Sequence, residues 1–147
     1  MTNALTDEES RNLAAYRRFH AAVISHDQDL IGATIDDLVA PDAAIATPFQ
    51  TDAGAPETFK RLWAMLLQAF PDLDIRIDEV IAKDDKLVIR DVVTGTNLGD
   101  YQGRPPTGRR VSYEEIFVIR FVDGRIAQTW GVVDVLAQLR QLGVIAA

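Results

Sequence analysis

Two alternating runs of residues on either side of Asp123-Gly124 constrain the fold of this chain most strongly. An Asp-Gly pair between such runs is a strong signal for a β-hairpin. Side chains alternate between the two faces of a strand, so the first run has one face with Tyr113, Glu115, Phe117, Ile119 and Phe121, and a second with Ser112, Glu114, Ile116, Val118 and Arg120. Both faces are substantially apolar. Both therefore need a cover, one of helices and one of another layer or subunit.

The segment before the hairpin predicts three helices and a short strand. Apolar residues recur there at spacings of three and four, and Thr6 with Glu9 forms a capping box. Proline residues mark boundaries between the predicted elements of this segment. The predicted elements are a helix from Thr6 to about Ser25, a helix over about Asp29–Val39 ended by Pro41, a strand over Ala43–Thr47, and a helix over Glu57–Phe70.

From Asp74 the apolar period changes to two, which predicts a four-strand antiparallel meander ending in the hairpin. Asp134 is the predicted N-cap of a last short helix, whose inward residues are predicted to be Val135, Leu136, Leu139 and Leu142. Helices followed by strands indicate the α+β class. We expect a curved antiparallel sheet with three N-terminal helices across one face, which forms a cone-shaped pocket for a small molecule.

The bulk composition limits the class of protein. A length of 147 residues fits one domain over residues 1–147, and a formal net charge of −7 argues against nucleic acid as a partner. The absence of cysteine excludes disulfides and thiolate metal sites. No signal peptide or membrane-length apolar run is present, so we expect a cytoplasmic protein without a membrane partner. No metal-ligand spacing or phosphate-binding loop appears, so we expect no metal and no cofactor.

Several segments resemble the SnoaL-like polyketide cyclases of the nuclear transport factor two-like superfamily. They are Gly103 with Pro105-Pro106-Thr107 and Arg109-Arg110, Arg120 with Asp123-Gly124 and Ile126, Leu139-Arg140-Gln141-Leu142-Gly143, and Phe70-Pro71-Asp72-Leu73. The resemblance covers most of the chain. It implies an α+β cone, usually oligomeric, in which an acid/base side chain drives an intramolecular aldol closure without metal or cofactor.

The chain departs from this family at the positions that carry the chemistry. The position matching the catalytic aspartate of the type cyclases is Gly131, and their pocket histidine falls on Phe117. The base of the related ketosteroid isomerases falls on Thr47, and their protonated aspartate falls near Phe117. None of these residues exchanges a proton near neutral pH. The resemblance therefore transfers the scaffold but not the known catalytic residues.

Other residues remain as candidate proton carriers. If Phe117 faces the cone, Glu115 does too, and we favour the pleat that also turns Asp91 inward. Two such carboxyls in a low-dielectric site have separated pKa values and supply one acid and one base, unless one of them pairs with a nearby arginine or lies at the wet mouth of the cone. His20 is either a third proton carrier or a core histidine bonded to a backbone carbonyl.

The candidate ligand-binding residues are mainly aromatic: Tyr16, Thr47, Trp63, Tyr113, Phe117 and Trp130. We expect a cofactor-free cyclase or isomerase that acts on an apolar, carbonyl-bearing molecule. The alternatives are a non-catalytic binding protein for a hydrophobic small molecule, favoured by the neutral residues at Thr47, Phe117 and Gly131, and a structural oligomer with a filled cone. The apolar outer side chains Ile116, Val118 and Val92 predict a homodimer.

Overall fold

A computed structural model describes residues 3–46 and 53–146. Its elements are α1 (Asp7–Ser25), α2 (Gln28–Leu38), β1 (Val39–Ile45), α3 (Ala55–Ala69), β2 (Asp74–Lys83), β3 (Lys86–Thr96), β4 (Arg110–Val122), β5 (Arg125–Val133) and α4 (Val135–Gln141). The strands form one sheet in the order β1-β5-β4-β3-β2. Helix α1 packs over β2 and β3, and α3 packs against β1. The predicted α+β class is confirmed.

The sheet is mixed, whereas the sequence predicted a wholly antiparallel one. Strands β2 to β5 form the expected antiparallel meander. Strand β1 pairs parallel to β5, with Val39 opposite Ile126 and Ile45 opposite Thr129. The partners of β1 are distant in sequence, so no local pattern encodes the direction of this pairing.

Pro41 lies in β1 and does not end α2, which already stops at Leu38. Strand β1 is at the edge of the sheet, and its register with β5 shifts between Val39 and Ala44. A residue without an N–H is tolerated in such an edge irregularity. The strand therefore begins earlier than the predicted Ala43.

The predicted capping box fixes the start of α1 and also ties the helix to the sheet. Glu9 N donates to Thr6 Oγ1 at 3.1 Å, and Thr6 N donates to Glu9 Oε2 at 2.9 Å. The other carboxylate oxygen of Glu9 accepts from the backbone N–H of Asp84 at 2.9 Å, in the turn between β2 and β3. One glutamate thus holds α1 across the inner face of the sheet.

Helix α4 packs differently from the prediction. Asp134 is its N-cap as expected, because Asp134 Oδ1 accepts from Ala137 N at 3.0 Å. However, Val135 and Leu136 are exposed, while Gln138 is buried. Gln141 explains the orientation of the helix: its amide pairs with the backbone of Ser112 at 2.6 and 2.8 Å, as a neighbouring strand would.

Among the residues described, no helix has both the length and the apolar character that a bilayer crossing requires.

Candidate active site

The strand register brings the two predicted carboxyls side by side on the inner face. Asp91 of β3 lies directly opposite Glu115 of β4. The same cross-strand row continues to Ile77 on β2 and to Val133 on β5. Directly opposed residues in an antiparallel pair have Cβ atoms only about 5 Å apart. Two acidic groups therefore sit together between apolar neighbours, and no arginine or lysine shares the row.

Burial shifts both carboxyls toward their protonated forms. Asp91 is only 3% exposed. Burial raises its pKa to about 6, against the opposing effects of the hydrogen bond with Glu115 and the charge of His20. Burial also raises the pKa of Glu115 to about 9, and the negative charge of Asp91 adds to this rise. Near neutral pH the pair thus holds one proton, on Glu115, and one negative charge, on Asp91.

The buried Oδ1 atom of Asp91 favours a proton shared with Glu115. Within the described ranges, no N–H or hydroxyl group reaches the buried Oδ1 atom of Asp91. An isolated buried carboxylate oxygen is costly, so a donor is required. A protonated Glu115 can supply this donor, because it lies directly opposite Asp91 in the strand register. The pair therefore combines a group that can donate a proton with one that can accept it.

His20 contributes as a neighbour of the pair, and its bonding matches the core-histidine interpretation. Its Nε2 lies 2.7 Å from the carbonyl oxygen of Ile75. A carbonyl only accepts, so Nε2 carries the proton of this bond. Only Nδ1 could exchange a proton with a ligand while the bond holds. The ring still acts on the pair through space, because its electrostatic interaction with Asp91 lowers the pKa of that carboxyl.

Two predicted tyrosines face the carboxyl pair. Tyr16 on α1 and Tyr113 on β4 are both buried. Burial raises the pKa of the Tyr16 hydroxyl, and the charges of Asp91 and Glu115 raise it further. Burial likewise raises the pKa of Tyr113, followed by the charge of Glu115. Both hydroxyls therefore remain neutral hydrogen-bond donors across the physiological range.

The sequence analysis missed another buried polar residue of this region, Gln138. It is 3% exposed, accepts a hydrogen bond from the Tyr101 hydroxyl at 3.3 Å, and lowers the pKa of the neighbouring Tyr113 hydroxyl, against the effect of burial. It thus links α4 to the tyrosine that neighbours Glu115. A glutamine in a short amphipathic helix carries no pattern that marks it as buried, so only the packing of α4 reveals it.

Phe117 and Gly131 are linked in space as well as by the resemblance. They lie opposite each other on β4 and β5. A Cβ atom at Gly131 would stand 2.7 Å from Phe117 Cε1 and 2.6 Å from the carbonyl oxygen of Ile116. The phenyl ring therefore covers the backbone of Gly131 and takes the space that a side chain there would need. Position 131 therefore has no group that can transfer a proton, and the surface there is apolar.

The prediction that Trp130 lines the pocket is wrong. Trp130 pairs with Val118 on the outer face of the sheet and is 57% exposed. Residues 130 and 131 are adjacent, so the strand pleat sends their side chains to opposite faces. Trp130 is adjacent to position 131 in sequence, but this adjacency does not bring its side chain to the inner face.

The remaining predicted ligand-binding residues are Trp63 and Thr47. Trp63 on α3 is half-buried and meets the ring of Phe19 edge-on, with centroids 5.9 Å apart. Its Nε1 atom is buried and has no hydrogen-bond partner in the described part of the chain. Trp63 is thus on the helical side of the core with a free donor. Thr47 lies outside the residues that the structure describes.

A surface groove between α2 and α3 is a weaker candidate. Ile31, Gly32 and Ala64 line it together with charged residues. All three of these charges are already paired, since Lys60 lies 2.7 Å from Asp36 and Arg61 lies 3.2 Å from Glu57. None of the predicted site residues lines this groove. Across residues 3–46 and 53–146, no cluster of three histidine, aspartate or glutamate side chains is arranged to hold a metal ion.

Comparison with known proteins places this arrangement in a family. The chain is 34% identical to the aklanonic acid methyl ester cyclase DnrD of Streptomyces peucetius over 90 residues, which is 60% of this chain and 61% of that relative. It is 30% identical to the nogalonic acid methyl ester cyclase of Streptomyces nogalater over 114 residues, or 74% of this chain and 83% of the relative. The chain thus spans less than two thirds of DnrD.

A solved structure and a family model agree with these relatives. The crystal structure of AclR from Streptomyces galilaeus, a proposed hydroxylase, is 28% identical with a TM-score of 0.79, covering 94% of this chain and 84% of AclR. The model of the SnoaL-like polyketide cyclases matches residues 14–142. The chain belongs to the SnoaL-like polyketide cyclase family.

Proposed function

We propose that this protein is a cyclase or isomerase in which Asp91 is the base and Glu115 the acid, acting on an apolar molecule that carries carbonyl groups. The buried, proton-sharing Asp91–Glu115 pair is the observation that carries the proposal. A general base and a general acid work best when their pKa values bracket the working pH. Values of about 6 and about 9 meet this condition near neutrality.

The chemistry needs one carbon–carbon bond and proton transfers, after which Asp91 passes its proton back to Glu115. Asp91 would take the proton from a carbon next to a carbonyl, and the resulting enolate would form a carbon–carbon bond with a second carbonyl of the same molecule. Glu115 would give its proton to the oxygen of that second carbonyl, which becomes a hydroxyl group. The product is an isomer of the substrate, so the balance requires no oxidant and no leaving group. We therefore retain the prediction that the reaction is cofactor-free.

Neighbouring side chains suit such a substrate. Tyr16 remains a neutral donor beside both carboxyls, so it can hold a carbonyl or enolate oxygen. Trp63 offers an unpaired indole N–H to another oxygen. Phe117 presents an apolar surface, packed against the core. The substrate would lie between α1 and the inner face of the sheet, where aromatic rings and a few polar groups converge.

The relatives support a cyclase role. DnrD and the protein of Streptomyces nogalater are named as cyclases of methyl esters. The chain keeps their scaffold while Gly131 and Phe117 carry no proton at the positions that the resemblance assigns to catalysis. We infer that the acid/base function resides one row away in the same sheet, because the row of Phe117 and Gly131 is adjacent to that of Glu115 and Val133.

The second candidate function is a non-catalytic binding protein for a hydrophobic small molecule. The ring of Phe117 over Gly131 is the observation that favours it, since this contact converts a family catalytic position into an apolar wall. In this case the ligand would bind unchanged, and Asp91 would only accept a hydrogen bond from it.

An assay with nogalonic acid methyl ester and aklanonic acid methyl ester distinguishes these functions. The proposal predicts a product of unchanged mass, formed by the purified chain alone. Asp91→Asn and Glu115→Gln should each lower turnover strongly, while the matched outer-face variant Asp78→Asn should not. Full turnover in both inner variants would contradict the carboxyl pair. Saturable binding without turnover would favour the binding protein, and a product heavier by one oxygen would indicate hydroxylation.

A further inference from the structure

Helix α1 buries a polar side chain, Asn12, that the chemistry proposed above does not use. Asn12 is only 2% exposed. Within the described part of the chain, its Nδ2 atom is shielded from water and has no hydrogen-bond acceptor. An amide nitrogen in this state has lost its bonds to water without replacement, which disfavours the folded chain. Packing therefore does not account for the amide, since an apolar side chain of similar size would avoid this cost.

Two other buried side-chain atoms share this condition, and both belong to the candidate active site. They are Trp63 Nε1 and Asp91 Oδ1, and across residues 3–46 and 53–146 these two atoms and Asn12 Nδ2 are the whole set. The set consists of two donors on the helices and one acceptor on the sheet. Buried polar atoms in folded proteins are normally bonded, so each exception requires an explanation.

The position of Asn12 follows from the contacts that join α1 to the sheet. At one end, Glu9 accepts from the backbone N–H of Asp84 at 2.9 Å, in the turn between β2 and β3. At the other end, His20 Nε2 donates to the carbonyl oxygen of Ile75 on β2, at 2.7 Å. Asn12 lies between these two contacts. It is therefore placed over the inner face, on the side of the turn between β2 and β3.

Tyr16 relates Asn12 to the reacting groups. The two residues are four apart in α1, so they lie on one face of the helix, one above the other. The charges of Asp91 and Glu115 act on the Tyr16 hydroxyl, which thus marks the level of the carboxyl pair. Asn12 is one helical turn, about 6 Å, further toward the turn between β2 and β3.

The inner face on this side of the carboxyl pair is apolar. Its next two rows on β3 and β4 pair Ile89 with Phe117 and Leu87 with Ile119. None of these four side chains contains a hydrogen-bond acceptor. An acceptor for the amide of Asn12 therefore has to come from a bound molecule.

Trp63 brings the second donor to the same region from α3. Its indole ring meets the ring of Phe19 edge-on, with centroids 5.9 Å apart. Phe19 follows Asn12 by seven residues, or two helical turns, so both lie on the same side of α1. The three unpartnered atoms thus border one region between the helices and the inner face of the sheet. A few polar groups that converge in apolar surroundings are typical of a small-molecule site.

We propose that Asn12 is a specificity-determining residue whose amide donates a hydrogen bond to an oxygen at the end of the substrate remote from the reacting carbons. The substrate is a ring system with oxygens at two places, one held by Tyr16 and a second about 6 Å further along α1. Oxygens on opposite sides of one six-membered ring have a separation of this order. The inference rests on the proposed function for which end of the molecule reacts, but it concerns binding and does not require turnover.

Asn12→Leu tests the proposal with two measurements that should move in opposite directions. Loss of the unpaired amide should shift the urea midpoint of the free protein to a higher concentration. The dissociation constant for aklanonic acid methyl ester should rise by about tenfold, because a buried ligand oxygen loses its donor. Calorimetric titration measures this constant in the Asp91→Asn chain with and without Asn12→Leu, so that the ligand is not consumed. An unchanged dissociation constant would overturn the proposal.

Asn97→Leu is the matched control for stability. Asn97 is also 2% exposed, but its Nδ2 donates to the carbonyl oxygen of Gly99 at 2.9 Å and its Oδ1 accepts from Thr107 N at 2.8 Å. Its replacement should shift the urea midpoint to a lower concentration, because it leaves these partners unpaired. A similar downward shift in Asn12→Leu would mean that the Asn12 amide is already bonded in the free protein, and would overturn the proposal.

NMR spectra of the Asp91→Asn chain test the contact without altering Asn12. Saturation with the methyl ester should move the side-chain amide signal of Asn12 and the indole N–H signal of Trp63 downfield, since each donor gains an acceptor. The indole signal of Trp130, which is exposed on the outer face, should stay in place. An unmoved Asn12 signal, or no saturable binding, would overturn the proposal. Binding that depends on Asn12, without turnover by the unaltered chain, would support it and contradict only the proposed chemistry.

Discussion

Each face of the sheet departs locally from the usual division between an apolar interior and a polar surface. The inner face holds two carboxyls without a cation in their row, with Asp91 buried and Glu115 half-buried. The outer face exposes a row of aliphatic and aromatic residues around Trp130. Charge inside and apolar surface outside both cost stability in an isolated chain. The carboxyl pair of the inner face is where we propose that a substrate binds.

The difference between the faces also separates groups that titrate from groups that do not. On the inner face, low dielectric raises two carboxyl pKa values. On the outer face, Asp78 lies close to Arg76 and Arg90, and the hydrogen bond from Arg76 lowers its pKa. The same residue type thus behaves oppositely on the two sides, since burial dominates on one and paired charge on the other. Substitution of an inner-face carboxyl and substitution of an outer-face carboxyl should therefore have very different effects on activity and stability.

The largest expected effect is on catalysis. Asp91→Asn keeps the shape of the side chain but removes the base, so turnover of the methyl ester should fall by about 10²–10⁴-fold. Steady-state kinetics with the purified variant provide the measurement, with Asp78→Asn as the outer-face control. Equal turnover in Asp91→Asn and the unaltered chain would remove the functional contrast between the faces.

The pH dependence of stability should identify Glu115 next. Its pKa is raised on folding from 4.5 to about 9, so the folded chain keeps a proton that the unfolded chain releases. Stability from this group is fully present below the unfolded pKa, falls as pH rises, and stops changing above about 9. Glu115→Gln should remove this loss, and should be more stable than the unaltered chain at pH 9 by about 1–3 kcal/mol.

Urea unfolding at pH 5, 7 and 9 measures this difference. Glu79→Gln is the matched control, because Glu79 is exposed on the outer face. The free energy of unfolding of Glu79→Gln should change with pH in the same way as that of the unaltered chain. The same pair predicts a bell-shaped pH profile of turnover, rising as Asp91 ionises near pH 6 and falling as Glu115 does near pH 9. An unchanged basic limb in Glu115→Gln would contradict its role as the acid.

A steric effect of intermediate size is expected at Gly131. The added methyl group of Gly131→Ala meets the ring of Phe117 and the backbone oxygen of Ile116, which cannot move away without disturbing the sheet. We expect a loss of about 1–3 kcal/mol in the free energy of unfolding.

Gly32→Ala is the matched control for Gly131→Ala. Its Cβ would meet nothing closer than Lys60 Cε at 3.9 Å, and it lies within α2. It should stabilise the chain by about 0.5–1 kcal/mol. Chemical denaturation compares both variants, and a neutral Gly131→Ala would mean that Phe117 does not cover this position.

The smallest expected effect is at the exposed ion pair on β2. Arg76 Nε lies 2.8 Å from Asp78, yet the arginine side chain is 68% exposed. Water screens such pairs, so Arg76→Gln should change stability by no more than about 1 kcal/mol. A loss above about 2 kcal/mol in chemical denaturation would show that outer-face charges matter as much as inner-face ones.

Local patterns predicted much of the fold. The Thr6–Glu9 capping box, the hairpin at Asp123-Gly124 and the Asp134 cap all occur as expected, because each depends on residues within a few positions of one another. Periodicity grouped Glu115 with Phe117 and left two pleats open for β3, and the favoured pleat, with Asp91 beside Glu115, is the one that occurs. The direction of β1, the burial of Gln138 and the exposure of Val135 and Leu136 were not predictable in this way, since they depend on packing between distant segments.

The sequence by itself determined which side chains share a face of each strand, because the alternation of a pleated strand is a local property of the backbone. Only the tertiary structure decided that Asp91 stands directly opposite Glu115 and that Phe117 lies across Gly131. Register and burial arise when separate strands and helices come together. The raised pKa values of the two carboxyls follow from that burial, so the chemistry of this site is a property of the assembled fold.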